Sequence, residues 1–130
     1  TLKECRLRYV LCGKICMDGD MMKKQTAGRN QLGNLAPKFA ELNDDVLFGE
    51  IWSREDKLNL RDRSLITISA LMAMGLYPQL KSHLIMGKEH GLKKEEVVEV
   101  VTQLAFYVGW PKAWSTFPLI LEVYGTDGEE

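Results

Sequence analysis

Residues 77–100, YPQLKSHLIMGKEHGLKKEEVVEV, place Leu80, Leu84 and Gly87 at helical spacing. Pro78 suits a first turn and Gly91 suits a stop, so the stretch predicts one helix closing before Gly91 and a second opening after it. In that second helix Val97, Val100, Val101, Leu104 and Tyr107 form an apolar stripe at three- and four-residue steps. Glu96 supplies half of a capping box, because Lys93 stands where Ser or Thr would complete it. Upstream, LRDRSLITISALMAMG (60–75) has a charged first turn and an almost wholly apolar remainder, which predicts a helix buried on most sides and ended by Gly75. NLAPKFAELNDD predicts a helix behind Asn34 with Pro37 in its first turn. DDVLFGEIWS predicts another short helix, opened by Asp44 and Asp45, and REDKLN reads as a polar link. Gly109 and Pro111 mark a stop and a restart, and Pro118 is expected to kink or interrupt the last helix. Strand signals are weak throughout. The pattern predicts a compact all-α bundle of five to six helices.

Composition adds limits. The 130 residues suffice for one core, and a net charge of −1 gives no general pull toward nucleic acid or a membrane surface. Residues 1–30 hold seven Lys/Arg against three Asp/Glu, while 31–130 hold ten against fifteen. No apolar run approaches the roughly 20 residues that span a bilayer, so the expectation is a cytoplasmic protein with neither membrane nor nucleic-acid partner. Cys5, Cys12 and Cys16 all fall in the opening segment at C-x6-C-x3-C spacing, which matches neither the common zinc patterns nor a C-x-x-C pair. They read as reduced thiols. With Met21 or Met22 as a natural start, residues 1–22 read as an extension and 23–130 as the helical domain.

Phosphate loops, H-E-x-x-H and G-x-S-x-G are missing, so candidate chemistry rests on isolated polar residues. His83 sits beside the apolar stripe, one turn after Gln79. Its imidazole either bridges two helices or transfers a proton near neutral pH, and Gly87 one turn on is expected to leave open space above the ring. Glu50 and Arg54 lie four apart, the spacing of a routine helix-surface ion pair. Arg63 either ties helices together or holds a carboxylate in a two-toothed grip. Glu96 most simply serves its own helix dipole, Tyr107 reads as core, and His90, next to Gly91, suits a helix C-terminus.

The ordered set Arg63-Ser64-Leu65, QLKSH, Gly91, EEVVEV and AFYVGWP, preceded by DDVLFGEIWSR, resembles the carboxymuconolactone decarboxylase family across roughly residues 30–125. The resemblance implies an all-helical protomer of the alkyl hydroperoxidase D-like superfamily that assembles into trimers or hexamers. It also implies active sites near His83 and a cofactor-free loss of CO2 from 4-carboxymuconolactone on the way to 3-oxoadipate. On that chemistry Arg54 or Arg63 would grip the substrate carboxylate and His83 with Glu50 would manage the proton. Gln79, Tyr107 and Trp110 would line the substrate site, and no metal is required. The superfamily's redox branch uses Glu, then C-x-x-C, then His. Here those positions hold Ser64, Leu76 and Gln79 ahead of His83, which removes the thiols that a peroxiredoxin-type reaction requires. A non-catalytic oligomer binding a small molecule is the third possibility.

Overall fold

Pro37 opens a helix that does not stop where the sequence suggests. The computed structural model describes residues 15–17, 20–22 and 24–125, and the chain divides into two compact units, Thr1–Leu58 and Asn59–Glu130. The first unit contains a short antiparallel hairpin, β1 (Ile15–Met17) and β2 (Asp20–Met22), with Cys16 opposite Met21. Every other regular element among the described residues is helical. Cys5 and Cys12, expected to be reduced thiols, lie outside the described residues.

After α1 (Ala27–Leu32), α2 (Pro37–Glu41) runs unbroken into a π-helical segment, Leu42–Ile51. Pro37 occupies the first turn as expected, but the residue before it, Ala36, is the cap and makes no side-chain bond, so Asn34 does not serve. The wider winding persists to the end, where Trp52 N–H donates to Leu47 O at 2.9 Å, five residues back.

Asp44 and Asp45 therefore lie inside a helix rather than at its start, and they serve the N-terminus of a different helix. The Asp44 side chain is fully buried. Its Oδ1 accepts from Gly28 N–H at 2.9 Å and its Oδ2 from Arg29 N–H at 3.0 Å, two first-turn donors of α1 that Thr26 leaves uncapped. A Cβ on Gly28 would lie 2.6 Å from Asp44 Oδ1 and 2.9 Å from Ala40 O, so only glycine lets the carboxylate reach those amides. Asp45 adds a two-toothed pair with Arg29, at 2.8 and 2.7 Å. Phe48 and Trp52 are buried and stack with centroids 5.7 Å apart.

The second unit is four helices: α3 (Leu60–Met74), α4 (Tyr77–Glu89), α5 (Lys94–Val108) and α6 (Trp110–Tyr124). Asn59 caps α3 by accepting from Asp62 N–H at 2.8 Å. Gly75, at φ 69°, ends the helix in the left-handed region that a Cβ disfavours. Pro78 sits in the first turn of α4 as expected, and Glu96 accepts from Lys93 N–H, the predicted half of a capping box.

Ties at both ends fix an up-down-up-down order. Ser64 meets His90, Arg61 pairs with Glu96 and Tyr124 O–H donates to Leu92 O at one end. Lys112 donates to Ala73 O at the other, satisfying a carbonyl at the end of α3. The core is built from Ile68, Met72, Leu80, Leu84, Leu92, Val97, Val101, Ala105, Ala113 and Ile120.

Three expectations change here. α3 is not buried on most sides: Leu60, Ser64, Ile68 and Met72 form its buried edge, while Ile66 and Met74 on another face are exposed. The stripe of α5 continues through Ala105, not Tyr107. At 100° per residue Tyr107 falls about 80° from the Val97 direction, which turns it off the core in the last turn. It is 77% exposed. Pro118 does not interrupt α6. The N–H it lacks would have bonded Trp114 O on the outward face, where both residues are exposed and water can take the partner's place.

Candidate active site

His83 occupies a border. Along α4 the residues Gln79, His83, Met86 and His90 fall within an arc of about 60°, beside the edge formed by Leu80, Leu84 and Gly87. Those three are buried, Gln79 is exposed and the two imidazoles are half-buried. The ring of His83 is thus partly desolvated without being sealed. Burial lowers its pKa below the ordinary 6.5, and the neighbouring charge of His90 lowers it further. Both effects favour the neutral form of the ring. Gly87 does not leave the open space expected above the ring: a Cβ there would meet Leu92 Cδ1 at 2.9 Å and Ile68 Cδ1 at 3.1 Å, so this glycine lets α4 close onto α3 and the core.

His90 follows the last turn of α4, and its N–H donates to Met86 O at 3.0 Å, the helix-terminal placement expected of it. Its ring does something the sequence did not suggest. Nδ1 lies 2.7 Å from the hydroxyl of Ser64, a fully buried residue of α3, 26 positions earlier in the chain. Burial lowers the His90 pKa also, with Glu89 partly opposing it.

Arg63, half-buried, precedes Ser64 and so belongs to the same end of the bundle. Tyr107 and Trp110 belong to the other end, with Lys112 and Ala73. Helices of this length span about 20 Å, so within one copy a small acid held by Arg63 does not reach those aromatics. Trp110 is 62% exposed and meets the exposed Phe106 edge to face. Glu50 and Arg54 are exposed residues of the first unit. The helix ends at Ile51, so Arg54 lies beyond it, and the four-residue step is not the helix-surface pairing that the spacing suggested.

An open groove of about 760 Å³ runs between α3 and α5, and none of His83, Glu50, Arg54, Arg63, Gln79, Tyr107 and Trp110 lines it. Its floor is Leu65, Val100 and Leu104, and Glu95, Glu96 and Glu99 stand along it. Arg61 is its one lining cation and is paired with Glu96. Such a lining repels a carboxylate, which leaves the imidazole stripe as the better place for an acid. Among the described residues no three His, Cys, Asp or Glu side chains converge as a metal site, and no helix is long and apolar enough to cross a membrane.

The lowered imidazoles have a measurable consequence. The unfolded chain takes up protons below about pH 6.5 that the folded unit refuses, so stability is full above that value and falls as the pH drops. The denaturation midpoint is expected to be lower at pH 5.5 than at 7.5, and a His83→Gln/His90→Gln variant is expected to lose most of that difference in urea titrations.

The second unit thus carries a half-buried imidazole, His83, beside its core. A family model described as the carboxymuconolactone decarboxylase family matches residues 37–122. A 4-carboxymuconolactone decarboxylase of Acinetobacter baylyi is 34% identical over 93 residues, 72% of this chain and 69% of that protein. An uncharacterized 15.0 kDa protein of Paracoccus denitrificans, from the nqo9–nqo10 intergenic region, is 28% identical over 88 residues, 66% of this chain and 65% of its own length. The chain belongs to the carboxymuconolactone decarboxylase family, and at the level of that family it is a decarboxylase-like lyase.

Proposed function

We propose that this protein is a cofactor-independent decarboxylase acting on a small carboxylated lactone or enolisable acid, of the 4-carboxymuconolactone type, with His83 as the proton-transfer residue. The observation that carries the reading is the half-buried ring of His83, its pKa lowered by burial, on a family member's helix. When CO2 leaves such a substrate, the electron pair of the broken C–C bond delocalises through the butenolide ring onto the lactone carbonyl oxygen. The substrate is its own electron sink. The protein has to hold a carboxylate, stabilise the oxyanion and return a proton to carbon.

Arg63 is the carboxylate-holding cation in this reading, with Arg54 as a second candidate and Glu50 as a candidate proton partner. A bound carboxylate favours the charged imidazole, so His83 gains its proton as the anion binds and gives it to the dienolate carbon after CO2 departs. Gln79, one turn from His83, is placed to hydrogen-bond the substrate. Tyr107 and Trp110 would contribute only across a boundary between copies. The exposed Phe106, Trp110, Trp114, Ile66 and Met74 support a homo-oligomer, a trimer or hexamer, in which such a boundary exists.

The test is a spectrophotometric panel of carboxylated lactones and β-keto acids with CO2 detection and no added metal or cofactor. Turnover of at least one carboxylated lactone is expected. CO2 release from none of them overturns the reading in favour of a non-catalytic binding protein.

A further inference from the structure

The groove between α3 and α5 is lined by none of the residues that the decarboxylase reading uses, and its lining follows a simple order. Leu65 and Ser69 of α3 stand one turn apart, and Val100 and Leu104 of α5 line the other side at the same step. The three aliphatic side chains among these are half-buried, so part of each still meets water. A second row of α5, Glu95, Glu99 and Gln103, is again spaced by four and is exposed. The trough is thus apolar along its floor and polar along one lip.

The charges on that lip do not balance. Glu96 is committed twice, to Arg61 and through Oε1 to the Lys93 N–H. Glu95 and Glu99 remain, and among the described residues no cation pairs with either. Two carboxylates four apart on one helix face repel each other, and a cation bound between them relieves that repulsion. At the other end Ser69 and Gln103 are neutral, so the negative charge is concentrated at one end of an apolar track.

The complement of such a groove is an organic cation with an apolar body. A carboxylate is repelled. A metal ion gains nothing from a hydrocarbon floor, and among the described residues no three acidic side chains converge on one point. A volume of about 760 Å³ falls within the usual range for small-molecule sites. We propose that the groove between α3 and α5 binds a small amphipathic amine, its ammonium held by Glu95 and Glu99 and its apolar body laid over Leu65, Val100 and Leu104. Charge complementarity beside an apolar floor carries the assignment, which is independent of the decarboxylase reading.

The test is amide NMR of the deuterated full chain, titrated with 4-phenylbutylamine, 4-phenylbutanol and 4-phenylbutyrate, which share one apolar body and differ in head group. The amine is expected to shift the amides of Leu65, Glu99, Val100 and Leu104 to saturation. The alcohol is expected to bind about tenfold more weakly, and the acid not to bind there. Glu95→Gln/Glu99→Gln alters two exposed positions, and an unchanged spread of amide signals will show that it folds. In that variant the amine is expected to fall to the affinity of the alcohol. Magnesium, a cation without an apolar body, is expected to leave Leu65 and Leu104 unmoved. Equal binding of amine and alcohol, undiminished amine binding in the double variant, or no saturable shift at these amides overturns the proposal. So do groove amides that move with protein concentration alone, which would show a second copy filling the groove.

Discussion

His83→Gln is expected to lower kcat on the preferred lactone acid by about 10²- to 10⁴-fold, the range for loss of one general acid–base group. Glutamine keeps the length and a hydrogen-bond donor but does not ionise near neutral pH, so it has no proton to transfer. It therefore separates proton transfer from the bland alternative, an imidazole that merely bridges helices. Because the side chain is half-buried at the edge of the stripe rather than inside the core, the four-helix unit should stay folded. Circular dichroism and sizing are expected to match the parent protein, with KM changed far less than kcat. Unchanged turnover with an intact assembly would withdraw His83 from the chemistry.

Asp44→Ala is expected to cost about 2–4 kcal/mol in the first unit, because it strands the buried Gly28 N–H and the partly buried Arg29 N–H at once. The loss should be local. Hydrogen exchange is expected to accelerate at Gly28 and Arg29 and throughout α1, while amides of α3 to α6 keep their protection. Burial alone would raise the Asp44 pKa, but the Asn43 amide, the Arg29 and Gly28 N–H donors and the Arg29 charge outweigh it and hold the carboxyl below its ordinary 3.8. A depressed carboxyl contributes stability above the unfolded value and loses it as pH falls through the folded one. Protection of α1 should therefore collapse under acid, and in the alanine variant that acid step should vanish. Asp45→Ala, which removes an exposed ion pair, should change little by comparison. Equal protection of α1 in Asp44→Ala and the parent would refute the capping role.

The features read correctly from sequence are those that local chemistry decides. Gly75 and Pro78 placed the boundary between α3 and α4, and the spacing of Leu80, Leu84 and Gly87 identified the buried edge of α4. The errors fall where partners are distant in the chain. Nothing near Asp44 signals that its partners are amides fifteen and sixteen residues earlier, so in one dimension a helix interior looks like a helix start. Pro118 is a breaker in isolation, yet the packing of α6 continues past it. The candidate site was partly legible: a helical histidine beside an apolar stripe is visible in one dimension. That Arg63 and Trp110 stand at opposite ends of a bundle is not, because it follows from the order of four helices. The Ser64–His90 contact spans two helices and had only the seven-residue echo of His83 as a clue.

The π winding of Leu42–Ile51 carries a consequence for how this region tolerates edits in length. Five-residue hydrogen bonding packs about one more residue into each turn than an α-helix does. Deleting a single residue there would let the coil relax to the tighter form, but it would also swing everything downstream by about 100° about the axis. Trp52, now 5% exposed, would be carried off its sheltered side. Single-residue gaps should therefore be tolerated worse in this coil than chemically drastic exchanges on its outer face.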